Sequence, residues 1–367
     1  MALLAGASCS TRSAPARLPT EKEAGPEKVV VNYGPRQLRV FPASSTAPGS
    51  SPPQQGYLIL ATERPELTAV FRPLGVTTQR PPVGAIARAG SLAWVAGHVV
   101  EAAPWPTSAP TDPLAARFLV YDRDGKVGTP VSVTLPAACP QSRERLPLLQ
   151  GDGDRLHALV RCAGHSVLLT LDDEARLLAA RDVPHQDEAW AELYLHQPDA
   201  DYVATGRQVL RVEPQGQASA LLPARISEET GELVPAGALL LIADGSGGRL
   251  MALDARTLER RFEKNFATGG AVTRLRAALG APERLDVVTA ESTAAGEELF
   301  ATSLSLGKQR ARTQLRLRLG GGLGPNKEAR ADHELVAVSS EDGGGVLLVY
   351  THRGNTGPQV ALRRLTL

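Results

Sequence analysis

At 367 residues, 43% of them hydrophobic and 22% charged, the chain carries enough apolar material for a sizeable core, which excludes disorder along its whole length. With 40 Lys and Arg against 39 Asp and Glu, the net charge of +1 creates no global field toward nucleic acid or anionic lipid, so a nucleic-acid scaffold is not expected. Gly, Arg, Asp or Pro interrupts every apolar run before the roughly 18 residues that a bilayer-spanning helix needs.

The chain opens Met1-Ala-Leu-Leu-Ala-Gly-Ala-Ser-Cys9-Ser10, an apolar run that ends in small residues and a cysteine. This resembles the end of a bacterial lipoprotein signal peptide, in which the cysteine is lipidated and becomes the mature amino terminus. Leu4 stands five residues before Cys9, where the family places its leucine three before, and Gly6 holds that position. A basic n-region is expected upstream of a start placed too late. The resemblance implies lipidation at Cys9, a cell-envelope address at the outer membrane, and membrane contact through the lipid anchor alone. Ser10 to Lys28 is rich in Ser, Ala, Pro and Glu and reads as a solvated tether. The expected organisation is therefore a signal-like segment over 1–9, a tether over 10–28 and a globular domain over 29–367.

Beyond the tether, apolar runs of four to seven residues recur between Gly, Pro, Asp and Asn, and helical periodicity over three turns is rare. The reading is all-β. One unit repeats: an apolar strand, a loop, a second apolar strand ending near an acid or polar residue, a turn, and a more polar strand. Its second strands include Arg117-Phe-Leu-Val-Tyr-Asp122, Ser166-Val-Leu-Leu-Thr-Leu-Asp172, Gln208-Val-Leu-Arg-Val-Glu213, Arg249-Leu-Met-Ala-Leu-Asp254, Glu298-Leu-Phe-Ala-Thr-Ser303 and Val346-Leu-Leu-Val-Tyr-Thr351. Spacings of roughly 40 to 50 residues are those of propeller blades.

A degenerate copy at the front, Gln37-Leu-Arg-Val-Phe41 with Gly56-Tyr-Leu-Ile-Leu-Ala61, makes seven units. The predicted fold is a β-propeller of seven blades, each of four antiparallel strands. Val29-Val-Val-Asn32, isolated before the first unit, is predicted to complete the last blade and close the ring. The segment Gly247-Gly-Arg-Leu-Met-Ala-Leu-Asp-Ala-Arg-Thr-Leu-Glu-Arg-Arg-Phe262 is similar to the repeat of quinoprotein-like propellers, with Leu258 in place of the usual turn glycine and Phe262 in place of Trp. The resemblance implies the architecture and no quinone, because no quinone-site residue accompanies it.

Cys139 and Cys162 form an even pair on neighbouring predicted strands. An oxidising compartment lets them form a disulfide, and a reduced one leaves two buried thiols. Neither belongs to a Cys-x-x-Cys or Cys/His cluster, so zinc and thioredoxin-like chemistry have no local support. The seven histidines, at 98, 157, 165, 185, 196, 333 and 352, fall in different units with no ligand spacing. Gln150-Gly-Asp-Gly-Asp154 lacks the later acids of a calcium loop and reads as a turn. Leu319-Gly-Gly-Gly-Leu-Gly-Pro-Asn326 lacks the Lys-Ser/Thr of a phosphate-cradling loop, and no Gly-x-Ser-x-Gly elbow exists.

No catalytic, cofactor-binding or metal residue is therefore assigned, and no cofactor is expected. Trp105, in the Pro-rich loop 103–113, and Trp190, in the acidic and aromatic stretch 182–192, are the candidate partner contacts. The expected function is non-catalytic binding or scaffolding of envelope proteins. The alternatives are a propeller hydrolase or lyase with its site at the mouth of the central channel, and a carbohydrate or cell-wall binder. A convergent cluster of histidines and carboxylates at that mouth is the feature that favours an enzyme.

Overall fold

A computed structural model describes residues 28–32, 38–45, 54–61, 70–73, 92–96, 98–103, 111–121, 128–141, 145–152, 154–185, 189–227, 231–268, 270–279, 283–293, 296–308, 310–318, 333–340, 345–354 and 357–366. Cys9, Trp105 and the glycine-rich stretch 319–326 lie outside the described residues.

The described residues form seven separate antiparallel sheets, six of four strands and one of three. The first blade contains β2 (Leu38–Ser45), β3 (Gln54–Ala61) and β4 (Val70–Pro73), and the second β5 (Leu92–Val95), β6 (His98–Ala102), β7 (Ala115–Tyr121) and β8 (Val131–Thr134). The third holds β9 (Leu148–Asp152), β10 (Arg155–Arg161), β11 (His165–Leu171) and β12 (Leu177–Pro184), and the fourth β13 (Ala191–Gln197), β14 (Ala200–Thr205), β15 (Gln208–Glu213) and β16 (Gly216–Leu221). The fifth has β17 (Gly231–Ala236), β18 (Leu239–Asp244), β19 (Arg249–Asp254) and β20 (Arg260–Asn265), and the sixth β21 (Ala271–Leu279), β22 (Arg284–Thr293), β23 (Gly296–Ser305) and β24 (Arg310–Arg318). The seventh comprises β25 (His333–Ser340), β26 (Gly345–Gly354), β27 (Gly357–Thr366) and, from the other end of the chain, β1 (Lys28–Asn32).

This is a seven-bladed β-propeller. The first strands of the blades, β2, β5, β9, β13, β17, β21 and β25, lie beside one another in that order, and β25 returns to β2. Closure comes from β1, which pairs antiparallel with β27, Lys28 opposite Leu362 and Asn32 opposite Gln359. The predicted closing strand is thus present, with Lys28 added to it. In the first blade only three strands fall among the described residues, against the four predicted. Among the described residues no helix is long and apolar enough to cross a membrane.

Strand position explains the sequence pattern. A middle strand lies between two neighbouring blades and is buried on both faces, so it reads as a continuous apolar run. In β10, Leu156, Ala158 and Val160 pack with residues of the second blade, while Leu159 packs with residues of the fourth. Outer strands are wetter: five of the six residues of β16 are exposed, as are six of the eight in β12.

Turns are held by aspartates at the ends of third strands. Asp254 accepts the N–H groups of Arg256 and Thr257, each at 3.0 Å, and its other oxygen takes Arg261 at 2.5 Å. The Arg261 guanidinium, with those two N–H groups, holds the Asp254 carboxyl well below the usual carboxylate range. Asp172 does the same for Glu174 and Arg176 at 3.0 and 2.8 Å. Leu258, which replaces the usual glycine of the repeat it resembles, sits at φ 60° in the left-handed region. Its side chain is almost wholly buried among Leu240, Ile242 and Leu253, and this burial offsets the backbone cost of about 1 kcal/mol.

Candidate functional site

A convergence of titratable side chains lies on the seam between the third and fourth blades. It sits at the end where β9 turns into β10 and β13 into β14. Alternation along β10 sets it up: His157, Leu159 and Arg161 point away from the Leu156/Ala158/Val160 face, toward the fourth blade. His157 pairs across the sheet with Gln150 on β9 and Thr170 on β11. Asp152 is the last residue of β9, and His196 the penultimate residue of β13.

The imidazoles of His157 and His196 stack with centroids 3.4 Å apart and planes 10° apart. Asp152 Oδ2 lies 3.7 Å from His196 Nε2. The opposite nitrogen, His196 Nδ1, is 2.8 Å from Asp201 Oδ1, and the Tyr194 hydroxyl donates to the same oxygen at 2.7 Å. Burial, and then the Asp201 charge, push the Tyr194 hydroxyl well above its ordinary value, so it remains a donor. Gln150 clamps the backbone of His196 across the seam, accepting its N–H at 2.6 Å and donating to its carbonyl at 3.3 Å.

His157 is 8% exposed, and its buried Nε2 has no hydrogen-bond partner. Burial, and next the proximity of His196, pull its pKa from 6.5 down to about 4, so at neutral pH the ring is uncharged and one nitrogen carries a free lone pair. Asp152, His157 and His196 each offer a ligand atom, all within 4.8 Å of one another. The Asp152 side chain is 56% exposed, so the cluster opens to solvent on that side.

Deeper in the same seam, Arg161 is fully buried and donates to the carbonyls of Leu146 at 2.7 Å and Ala191 at 3.5 Å. Arg145 pairs with buried Glu192 at 2.8 Å, and its guanidinium lies 5.8 Å from the centroid of the Trp190 ring. Trp190 is half-buried. Glu192 and Tyr194 belong to an inner strand of the ring, a place that the acidic and aromatic composition around Trp190 does not reveal.

Cys139 and Cys162 are joined by a disulfide, with Cα atoms 5.1 Å apart and both residues fully buried in the core between the second and third blades. Although His165 stands near them, sulfurs joined to each other offer no thiolate to a metal. One further pair has the form of a nucleophile and base: Ser166 Oγ is 3.1 Å from His185 Nε2, and His185 Nδ1 is 2.9 Å from the Ala189 carbonyl. Ser166 is fully buried, so no substrate carbonyl reaches it. That contact ties β11 to the loop entering the fourth blade.

By spacing alone the histidines fall in different units and none is assigned to a site. The seam brings His157 and His196 into contact, and it draws in Asp152 from the segment read as a turn. Trp190 and the cluster lie on the same inter-blade seam. Their shared marker is register: Asp152 and His196 stand at equivalent ends of adjacent inner strands.

No protein-family model matches the chain, and no curated protein matches it. Solved structures are similar to it. The likeness is one of fold. The periplasmic gluconolactonase of Pseudomonas aeruginosa is 14% identical, with 90% of this chain and 97% of that one covered and a TM-score of 0.45. AztD from Citrobacter koseri, in its apo form, is 16% identical over 77% of this chain and 73% of that one, with a TM-score of 0.42. BamB from Moraxella catarrhalis is 10% identical over 88% and 84%, also with a TM-score of 0.42.

Proposed function

We propose that this chain is an exported binding propeller that holds partner proteins in an oxidising compartment of the cell envelope, tethered through lipid on Cys9. The observation that carries the proposal is the buried Cys139–Cys162 disulfide, since such bonds persist where thiol reductants are absent. The lipoprotein-like opening ending at Cys9 and the tether over 10–28 support the same address. A closed ring of blades gives a rigid disc whose loops lie on two faces, suited to holding another protein. The half-buried Trp190, beside Arg145, is an aromatic anchor of the kind that interfaces use.

The test is intact-mass analysis of the protein purified from its own host in the presence of an alkylating agent, with co-purifying proteins identified. A mass carrying acyl chains at Cys9, no alkylation at Cys139 and Cys162, and stoichiometric envelope proteins is the expected result. Alkylation of both cysteines in an unacylated, solitary chain overturns it. A hydrolase or lyase reading draws on one observation, the convergence of Asp152, His157, His196 and Asp201. Turnover lost on Asp152→Asn is the result that favours it.

A further inference from the structure

We propose that Asp152, His157 and His196 bind one divalent transition-metal ion of zinc-like softness on the seam between the third and fourth blades. This inference is independent of the compartment and partners proposed above, because it rests on the donors alone.

The donor atoms are defined by what surrounds them. His196 Nδ1 is held by Asp201 at 2.8 Å, which leaves Nε2 as its ligand atom, 3.7 Å from the Asp152 carboxylate. His157 supplies Nε2, buried and unpartnered. In a tetrahedral site with bonds of about 2.1 Å, donor atoms stand roughly 3.4 Å apart. His196 Nε2 and Asp152 Oδ2, at 3.7 Å, are close to that spacing, and each of the three residues offers a ligand atom within 4.8 Å of the others. Binding requires the two ring planes, now 10° apart, to open so that both lone pairs meet at the ion.

An unpartnered buried imidazole nitrogen is a cost that an apolar side chain at 157 avoids. The layer behind the ligands is the second argument. A metal-bound histidine generally donates its other N–H to a carboxylate, which fixes the tautomer and strengthens the ligand. Asp201 does this for His196, Tyr194 fixes Asp201, and Gln150 pins the His196 backbone from the neighbouring blade. Three side chains from two blades are thus spent on holding one histidine.

Two imidazoles and one carboxylate suit zinc, cobalt, nickel or copper and not the all-oxygen preference of calcium or magnesium. Three protein ligands leave one position open, and the exposed Asp152 side places it toward solvent, where a water or a partner's side chain can complete the coordination.

The experiment is a competition titration of the full chain, free of tags and pre-treated with chelator, using Zn2+ and a chromophoric chelator at neutral pH. Co2+ absorption serves as a second readout. The expected result is one saturable equivalent per chain, with the intense visible bands of four-coordinate Co2+. Asp152→Asn weakens binding at least about tenfold, His157→Ala and His196→Ala abolish the site, and Asp201→Asn, acting through His196, weakens it about 10- to 100-fold. Asp154→Asn, next to the cluster but outside it, leaves affinity unchanged. No saturable equivalent in the folded wild type overturns the proposal, and so does an affinity common to the wild type, Asp152→Asn and Asp154→Asn. Asp152 is exposed, so its variant decides the matter even if a histidine variant fails to fold.

Discussion

The two flanks of the third blade are built from the same strands and differ in what they bury. Toward the second blade, β10 and β11 present Leu156, Ala158, Val160, Val167, Leu169 and Leu171, closed by the Cys139–Cys162 bond. Toward the fourth, the apolar patch of Leu159, Leu168, Val203 and Leu210 gives way at one end to His157, His196, Asp152 and Gln150, and at the other to Arg161. One flank is organised for cohesion. The other spends buried positions on polar groups, and a fold gains nothing from an imidazole nitrogen left without a partner. The proposed metal site lies on that second flank.

Three variants break or sharpen the contrast, and a fourth lies outside it. Replacing Cys139 and Cys162 together by Ala is expected to cost about 3 kcal/mol, the loop-closure value for a cross-link of this span, read as a lower denaturant midpoint. An unchanged midpoint places the cohesion of that flank in its apolar contacts alone. On the other flank, Arg161→Met leaves the carbonyls of Leu146 and Ala191 without their guanidinium donor. Its expected cost is about 2 kcal/mol in the same assay, which shows that this end of the polar seam is structural.

His157→Leu is expected to move the other way, raising stability by about 1 kcal/mol while removing the metal site. A loss of stability instead makes the stacked histidines a packing device.

The smallest effect comes from a carboxylate outside both flanks. Burial pushes the Glu232 carboxyl above 4.5, against the pull of Arg276 and of the Ala277 N–H that it accepts at 3.1 Å. Between the ordinary and the raised value the folded chain holds more protons than the unfolded one, so stability falls as pH climbs through that window. Glu232→Gln keeps the acceptor for Ala277 and is expected to flatten that fall. Denaturant midpoints measured across mildly acidic to neutral pH read the difference.

The architecture was legible because middle strands such as β10 and β19 are squeezed between blades and leave apolar runs that recur at blade-sized spacing. The inner strands were harder to read. Ala191-Glu-Leu-Tyr-Leu-His-Gln197 mixes polar and apolar residues although its first three residues and Leu195 are buried, so its composition does not mark it as an inner strand. The cluster escaped for the same reason. Nothing near His157 marks it, and its partner His196 belongs to another blade. What joins them is the lateral stacking of blades, and a repeat anchored on the middle strands does not put the ends of inner strands in register.

The pairing of β1 with β27 has a consequence for how the molecule is made. The strand that completes the last blade is synthesised first, and it waits unpaired until Gly357–Thr366 has emerged. Six blades can stack while the chain is growing, but the ring closes as the final event, through a contact that spans nearly the whole sequence and is correspondingly slow to form. Until then the edge of β27 stands open to other chains. Residues 28–32 are in this respect the latch of the fold.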